Sequence, residues 1–315
     1  MKLAITLLLI LSTSFLPMSK ENDMFSELEI TLSTQTGDIF GTMTIPEKSG
    51  KIPVALIIAG SGPTDRDGNN PIAGKNNSLQ MLAHELAKNG IASIRFDKRG
   101  IGESVAAMKE ESELLFNDYI LDVEEWISML KQDERFSSIT IIGHSEGSLI
   151  GMAASSYTDK FISIAGAGES ADKTLKRQLG AQPKEIQDLT FPIIDKLKDG
   201  SRVEDVNPML YSLFRPSIQP YLISWFNHDP HEIIGTLSIP TLIIQGTNDL
   251  QVTVEDAQIL AKAQPKATLT LIENMNHVLK IVDEDPQQNA ASYNIPDLPI
   301  SDELIKSIVE HIYNN

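Results

Sequence analysis

Residues 139–154 constrain the fold of this chain more than any other segment. An apolar, β-branched run ends at Ile142, Gly-His-Ser-Glu-Gly follows at 143–147, and a helix-compatible run of small and apolar residues comes next. Glycines on both sides of Ser145 leave room for a strained turn and for close packing of a helix against a strand. The segment therefore predicts a buried strand that turns sharply into a helix, with the Ser145 hydroxyl exposed at the tip.

Apolar strands alternate with helices around this segment, which is typical of a mostly parallel sheet covered on both faces. Upstream, alternating segments at 28–32 and 39–45 flank Thr36-Gly37-Asp38 and predict an N-terminal antiparallel hairpin. Further strands are predicted at 54–59, 92–96, 139–142, 161–165, 241–245 and 268–272, and helices at 78–88 and 116–130. Such sheets bind ligands at the carboxyl ends of their strands.

The alternation stops between Gly166 and Leu237, where amphipathic stretches replace it. We interpret residues 166–237 as a helical cap insertion, above a core formed by residues 24–165 and 238–315. An ordinary extra packing layer is the alternative interpretation. Residues 281–300 are rich in Pro, Asp, Asn and Gln and are predicted to form a long loop.

The N-terminus begins with Met1-Lys2 and an apolar run at 3–11, which is short for a membrane span. Residues 1–19 are therefore expected to be a signal peptide. We therefore expect export to the periplasm or the cell exterior, with no stable membrane insertion after the signal peptide is cleaved. The alternative is that residues 1–19 remain as an uncleaved membrane anchor. The chain has no cysteine, which excludes disulfides and thiolate metal sites, and its formal net charge of -17 disfavours nucleic acid as a partner.

Two further residues are expected to join Ser145. A serine hydroxyl needs a base to accept its proton, and the base needs a carboxylate to orient it. On a sheet of this kind the expected chain order is serine, carboxylate, histidine. Asp249 and His277 each follow a predicted strand, so both are expected at the sheet edge that carries Ser145. The alternative is that Asp249 only stabilises a turn; the adjacent Asn248 is a second candidate. Beyond Asp249 the remaining histidine, His311, falls inside the predicted terminal helix.

Two backbone N–H groups are expected to stabilise the negative charge that develops on a substrate oxygen. One belongs to Glu146, the residue after the serine. The other belongs to the glycine-rich loop after the first parallel strand, with Ser61 as the first choice and Gly62 as the second. Gly62 is also expected to line the substrate pocket, together with Trp225 and Phe226 of the predicted cap. No metal site and no cofactor are expected.

Several segments together resemble the α/β-hydrolase superfamily: the pentapeptide at 143–147, Asp249, His277, the turn Arg-Phe-Asp-Lys-Arg-Gly-Ile-Gly-Glu-Ser at 95–104, and the loop at 60–69. Within it, the chain is similar to bacterial exported hydrolases of the serine aminopeptidase-like branch, many of which act as carboxylesterases. The resemblance implies an α/β-hydrolase fold over about residues 26–315. It also implies hydrolysis of small or medium carboxylic esters through an acyl-enzyme. Aminopeptidase or amidase activity on short peptides is the first alternative, and a non-catalytic binding protein on the same fold is the second.

The chain departs from the family pattern at Glu146, where a small or apolar residue is usual. A carboxylate pointing inward would oppose the negative charge of the transition state, so Glu146 is expected to turn away, toward Arg66 or Arg99. Asp97 and Arg99 are expected to form an ion-paired scaffold. His144, next to the nucleophile, is expected to pack or to donate a supporting hydrogen bond.

Overall fold

The computed structural model describes residues 24–314, so the predicted signal peptide at 1–19 lies outside the described residues. An eight-stranded sheet forms its centre. The strands are β1 (Phe25–Ser33), β2 (Asp38–Pro46), β3 (Ile52–Ile58), β4 (Ala92–Phe96), β5 (Phe136–His144), β6 (Lys160–Ile164), β7 (Thr241–Gly246) and β8 (Thr268–Ile272). Their spatial order is β1-β2-β4-β3-β5-β6-β7-β8.

The sheet is mostly parallel, as the alternation predicts. Only β2 runs antiparallel to its neighbours β1 and β4, and every other neighbouring pair is parallel. The predicted N-terminal hairpin is confirmed, with Leu32 paired with Ile39 next to a turn at Gly37. Gly37 has φ 148°, a backbone angle that glycine adopts at little cost.

Helices cover both faces of the sheet. The α-helices of residues 24–314 are α1 (Ser78–Lys88), α2 (Phe116–Gln132), α3 (Glu146–Ala154), α4 (Ala171–Leu179), α5 (Lys184–Lys198), α6 (Tyr211–Phe214), α7 (Gln219–Phe226), α8 (Pro230–Thr236), α9 (Val254–Ala263), α10 (Pro286–Ser292) and α11 (Asp302–Tyr313). Helices α4 to α8 lie between β6 and β7, in the stretch predicted to be a cap. The division into core and cap stays a prediction. No helix in the described range combines the length and apolar character needed to cross a membrane.

The core is divided by the sheet, because alternate residues of a strand point to opposite faces. Along β3, Val54, Leu56 and Ile58 pack in one hydrophobic cluster with Trp126 of α2. The residues between them belong to a second cluster, which contains Leu79 of α1. The strand is therefore buried on both sides, which explains why its sequence is apolar throughout.

One prediction about the fold is wrong. The predicted long loop at 281–300 is interrupted by a helix, α10. Asp285 caps this helix by accepting hydrogen bonds from the backbone N–H groups of Gln287 and Gln288, and Pro286 occupies its first position. Seven residues are two turns of helix, too few to give a readable hydrophobic period.

Helix α3 packs very closely on the sheet. A Cβ atom on Gly143 would overlap the carbonyl oxygen of Gly147 and lie 2.5 Å from the Cα of Ser148. A Cβ atom on Gly147 would overlap the carbonyl oxygen of Ile58, at the end of β3. Both obstacles are main-chain atoms, which cannot move aside without displacing the helix or the strand.

Replacing Gly143 by alanine is therefore expected to lower the free energy of unfolding by about 3 kcal/mol or more. The matched control is Gly151→Ala, whose Cβ atom would meet a side-chain atom, Ile141 Cγ2, at 2.7 Å. That side chain can shift, and alanine favours the helix, so a loss of only about 1 kcal/mol is expected. Urea denaturation measures both values. Equal losses at the two positions would contradict the close main-chain approach.

Candidate active site

Ser145 occupies a strained turn between β5 and α3. Its backbone has φ 55° and ψ -122°, a conformation rarely adopted by a residue with a side chain. The turn is held because the Ser145 N–H donates to the Ile164 carbonyl oxygen at 2.9 Å and the Ser148 N–H donates to the Ser145 carbonyl oxygen at 2.9 Å. Ser145 is partly exposed, whereas His144 and Glu146 are buried. The turn thus presents the serine at the carboxyl end of a central strand.

Asp249 and His277 meet at the same edge of the sheet. Nδ1 of His277 donates to Oδ2 of Asp249 at 2.7 Å, and their side chains are 7% and 1% exposed respectively. A carboxylate acceptor holds the hydrogen on Nδ1, which leaves Nε2 of a neutral His277 free to accept a proton. The pair therefore has the arrangement of a base with its orienting carboxylate.

Asp249 is held as a carboxylate. Burial, the largest influence, opposes its charge, but the Coulombic interaction with the His277 ring and the hydrogen bond to it outweigh burial and lower the pKa of Asp249 below its usual value. The backbone N–H groups of Gln251 and Val252 add to this by donating to Oδ1 at 2.8 and 3.0 Å. Gln245 Nε2 also donates to Oδ2, at 3.2 Å. The neighbouring Asn248 has a different role and contacts the loop that follows β8.

The main chain of His277 is tied to the serine turn. Nε2 of His144 donates to the backbone carbonyl oxygen of His277 at 2.8 Å, and the two imidazole rings lie 4.8 Å apart. This is the supporting hydrogen bond expected of His144. Within the described residues the structure records no hydrogen bond between Ser145 Oγ and the His277 ring, so the link between serine and base stays a prediction.

Helix α10 supports the loops that carry Asp249 and His277. Asn289 Nδ2 donates to the carbonyl oxygen of Asn248 at 2.7 Å. Asn276 Nδ2 donates to Asn289 Oδ1 at 3.1 Å and to Ser292 Oγ at 2.7 Å. One short helix therefore fixes the residues next to both members of the pair. Sequence reasoning missed these amides, because asparagine is also the commonest signal of a plain loop.

The two predicted amide donors lie beside Ser145. A Cβ atom on Gly60 would be 3.1 Å from the Cβ of Ser145, so the loop bearing Ser61 contacts the serine turn. Ser61 is exposed. Glu146 is the first residue of α3, where a backbone N–H has no acceptor within the helix. Their role as an oxyanion hole stays a prediction, with Gly62 next in the same exposed loop.

The Glu146 side chain turns away from the serine, but not toward the predicted partners. Its Oε2 accepts a hydrogen bond from Lys98 Nζ at 2.8 Å, and its Oε1 accepts one from the Tyr221 hydroxyl. The prediction of Arg66 or Arg99 is wrong because both guanidinium groups already bind other carboxylates.

Asp97 and Arg99 are each ion-paired, as expected, but with Arg66 and Asp122 respectively and not with each other. Arg66 donates to Asp97 through Nε at 3.1 Å and through Nη2 at 2.9 Å. Arg99 donates to Asp122 of α2 through Nε at 2.8 Å. All four residues are buried, so each charge depends on its partner for compensation.

The predicted pocket residues have different surroundings. Trp225 is partly exposed, and its ring stacks on Phe116 with centroids 6.0 Å apart and planes 9° apart. Phe226 has no exposed surface and packs in the core, so it is not available to line an open pocket. Tyr221, one turn before Trp225, is the α7 residue that reaches the serine turn, through Glu146. Across residues 24–314 no group of three or more His, Asp or Glu side chains is arranged to hold a metal ion.

His144 is expected to make the protein sensitive to acid. Burial, reinforced by the charge of His277, lowers its pKa from 6.5 to about 3. The folded state therefore resists protonation, and the stability that neutral His144 provides is complete above pH 6.5 and is lost as the pH falls from 6.5 toward 3. The linkage is about 1.4 kcal/mol per pH unit.

The matched variant is His144→Gln, whose amide nitrogen can donate to the same carbonyl and does not titrate. Between pH 7 and pH 5 the wild type is expected to lose about 2 kcal/mol more unfolding free energy than the variant. Urea unfolding at both pH values measures this difference. Parallel losses in the two proteins would show that His144 is not the titrating group.

Comparison with known proteins identifies the family and the fold of the chain. The family model described as serine aminopeptidase, S33, matches residues 73–233, more than half of the chain. Esterase EstD of Thermotoga maritima is 29% identical over 279 residues, which are 84% of this chain and 62% of that protein. The chain thus spans less than two thirds of the length of this curated relative.

Solved structures share the fold at low sequence identity. Est1E from Butyrivibrio proteoclasticus, solved with ferulic acid bound, is similar with a TM-score of 0.60 and 14% identity, over 90% of this chain and 100% of that chain. The Pyrococcus furiosus esterase Pf2001 gives a TM-score of 0.55 and 14% identity, over 91% of this chain and 92% of that chain. From the family match, the sheet order and the serine turn, we conclude that the chain belongs to the serine aminopeptidase S33 family of α/β-hydrolases.

Proposed function

We propose that this chain is a serine hydrolase that cleaves small or medium carboxylic esters, with Ser145 as nucleophile, His277 as base and Asp249 as its orienting carboxylate. The observation that carries the proposal is the 2.7 Å hydrogen bond between His277 and Asp249 at the sheet edge where Ser145 occupies its strained turn. Export of the chain remains a prediction from residues 1–19.

In the proposed reaction, Ser145 Oγ attacks the ester carbonyl carbon while His277 Nε2 takes its proton. The Ser61 and Glu146 amides stabilise the oxyanion, and the imidazolium returns the proton to the leaving alcohol. Water then attacks the acyl-enzyme by the same route and releases the acid. Asp249 stabilises the imidazolium in both steps, and its lowered pKa keeps it ionised.

Two observations favour an ester over the amino terminus of a peptide. An aminopeptidase needs an uncompensated acidic group to bind the substrate ammonium, and Glu169 and Asp172 are the acidic candidates of the cap. Arg177 contacts Glu169 at 3.4 Å, and Lys198 lies 3.6 Å from Asp172 Oδ1 without a hydrogen bond to it, so each carboxylate has a cation nearby. The similarity to a protein named an esterase is the second observation.

A fluorophosphonate probe tests the nucleophile. The wild type is expected to be labelled once and Ser145→Ala not at all, because the probe phosphonylates an activated serine. Asp249→Asn is expected to fold and to lower kcat on a nitrophenyl ester by about 10²–10⁴-fold, since the amide cannot hold the required tautomer of His277. A wild type that resists the probe would support the non-catalytic binding protein instead.

A substrate panel tests the chemical class. Short-chain nitrophenyl esters are expected to give a kcat/KM at least about 10²-fold above that of aminoacyl anilides, since a carboxylate accompanied by a cation binds an ammonium poorly. Glu169→Gln and Asp172→Asn serve as controls and are expected to leave this ratio unchanged. Comparable turnover of the anilides would favour the aminopeptidase alternative.

A further inference from the structure

A buried lysine, Lys98, contacts the loop that carries Ser61. Lys98 is 2% exposed, and its Nζ donates to the carbonyl oxygen of Gly60 at 2.6 Å and to Glu146 Oε2 at 2.8 Å. The same ammonium lies 5.2 Å from the centre of the Tyr119 ring. Neither the Ser145–His277–Asp249 chemistry nor the scaffold of the turn at 95–104 accounts for these contacts.

The Gly60 carbonyl and the Ser61 N–H belong to the same peptide unit. A peptide unit is planar, and none of the described peptide bonds is cis, so this carbonyl and this N–H point in opposite directions. By holding the carbonyl oxygen, Lys98 fixes the direction of the N–H and turns it away from the buried ammonium. Ser61 is exposed, and a Cβ atom on Gly60 would lie 3.1 Å from the Cβ of Ser145, so we expect that N–H on the side where substrate would meet Ser145.

A charged donor on the carbonyl also strengthens the N–H. Hydrogen bonds to charged groups are the strong ones, and a bond accepted by the oxygen of an amide withdraws electron density from its nitrogen. The effect is stronger where water is excluded, as it is around the buried Lys98. The Ser61 N–H is thereby a better donor to an oxyanion than an amide whose carbonyl faces solvent.

Glu146 completes the connection between the two amide donors. Its carboxylate holds Lys98 on one oxygen and accepts the Tyr221 hydroxyl on the other, while its own backbone N–H starts α3 beside Ser145. Burial, together with the charge of Glu146, raises the pKa of Tyr221 well above its usual value, so the hydroxyl stays a donor. The buried Lys98–Glu146 ion pair therefore connects the Gly60–Ser61 peptide with the residue that bears the second amide donor, and Tyr221 connects this pair with α7.

We propose that Lys98 is a positioning residue that orients and polarises the Gly60–Ser61 peptide as an oxyanion donor. Glu146 holds the Lys98 ammonium, and Tyr221 in turn holds the Glu146 carboxylate. This inference rests on the proposed function, because it assigns support to the same site. It also gives a reason for the unusual glutamate after the nucleophile, which compensates a buried cation.

The test compares Lys98→Met with the double variant Lys98→Met/Glu146→Gln, which removes the pair without leaving a buried charge. Both are expected to lower kcat on a nitrophenyl ester by about 10–100-fold while KM changes less than about 2-fold. The affinity for a trifluoromethyl ketone, which forms an anionic tetrahedral adduct, is expected to fall by the same factor as kcat. Lys160→Met is the matched control. Lys160 is another buried lysine, and it donates to the backbone carbonyls of His311, Ile312 and Asn314. Its loss should lower stability but leave kcat and ketone affinity unchanged.

A spectroscopic measurement separates polarisation from stability. Labelling glycine with ¹³C at the carbonyl and serine with ¹⁵N selects the three Gly–Ser pairs of the sequence, at 60–61, 147–148 and 200–201. The Ser61 nitrogen is expected to resonate downfield in the wild type and to move upfield in the lysine variants. The other two signals are expected to shift little. Tyr221→Phe, which removes one hydroxyl, is expected to move the Ser61 signal in the same direction by less and to lower kcat by about 2–5-fold.

The outcomes distinguish the two proposals. Failure of the wild type to react with fluorophosphonate defeats the proposed function. A reactive wild type whose folded Lys98 variants keep full kcat and ketone affinity overturns the positioning role while leaving the hydrolase intact. If the lysine variants do not fold, an unchanged Ser61 signal and an unchanged kcat in Tyr221→Phe overturn it instead.

Discussion

The contact of α3 with β3 and β5 is the constraint on which the rest of the site depends. Gly143 and Gly147 let the helix start against the carbonyl ends of two strands, at a distance that no side chain permits. At the start of this closely packed helix, Ser145 has its positive-φ conformation. The strain is tolerated because β5 is buried in the middle of the sheet and cannot yield. Packing thus determines where the hydroxyl lies.

Charges at this edge of the sheet are buried in pairs. Lys98 with Glu146, Arg66 with Asp97 and Arg99 with Asp122 lie below the surface. Removing an ion from water costs several kcal/mol, which an accurately placed partner offsets. Each pair therefore tolerates only small displacements of the loops that carry it. The pairs fix the turn at 95–104 relative to the loop at 60–69 and to helices α2 and α3.

Local sequence was sufficient to predict those elements whose structure depends on a single segment of the chain. The limits of α1 and β4 match the predicted ones, and the hairpin and the parallel strands follow from alternating or continuous apolar runs. Asp249 and His277 could be proposed as partners because chain order and strand ends limit where such residues emerge; their hydrogen bond is present, and their catalytic roles stay predictions. The two partners of Glu146, Lys98 and Tyr221, were not predictable from sequence. Lys98 carries the same charge as Arg66 and Arg99, and sequence alone does not tell which of these cations reaches the glutamate. Phe226 was assigned to the wrong side of α7, because an eight-residue helix with apolar residues all round has no readable polar face.

The stretch that connects β8 with α11 has a composition that is easily dismissed as a spacer. Its Asn289 is hydrogen-bonded to both Asn248, in the loop after β7, and Asn276, in the loop after β8. Those loops consequently cannot drift independently of one another. Trimming or grafting within 286–292, a natural choice for anyone seeking a tolerant insertion point, would loosen the carboxylate and the imidazole together.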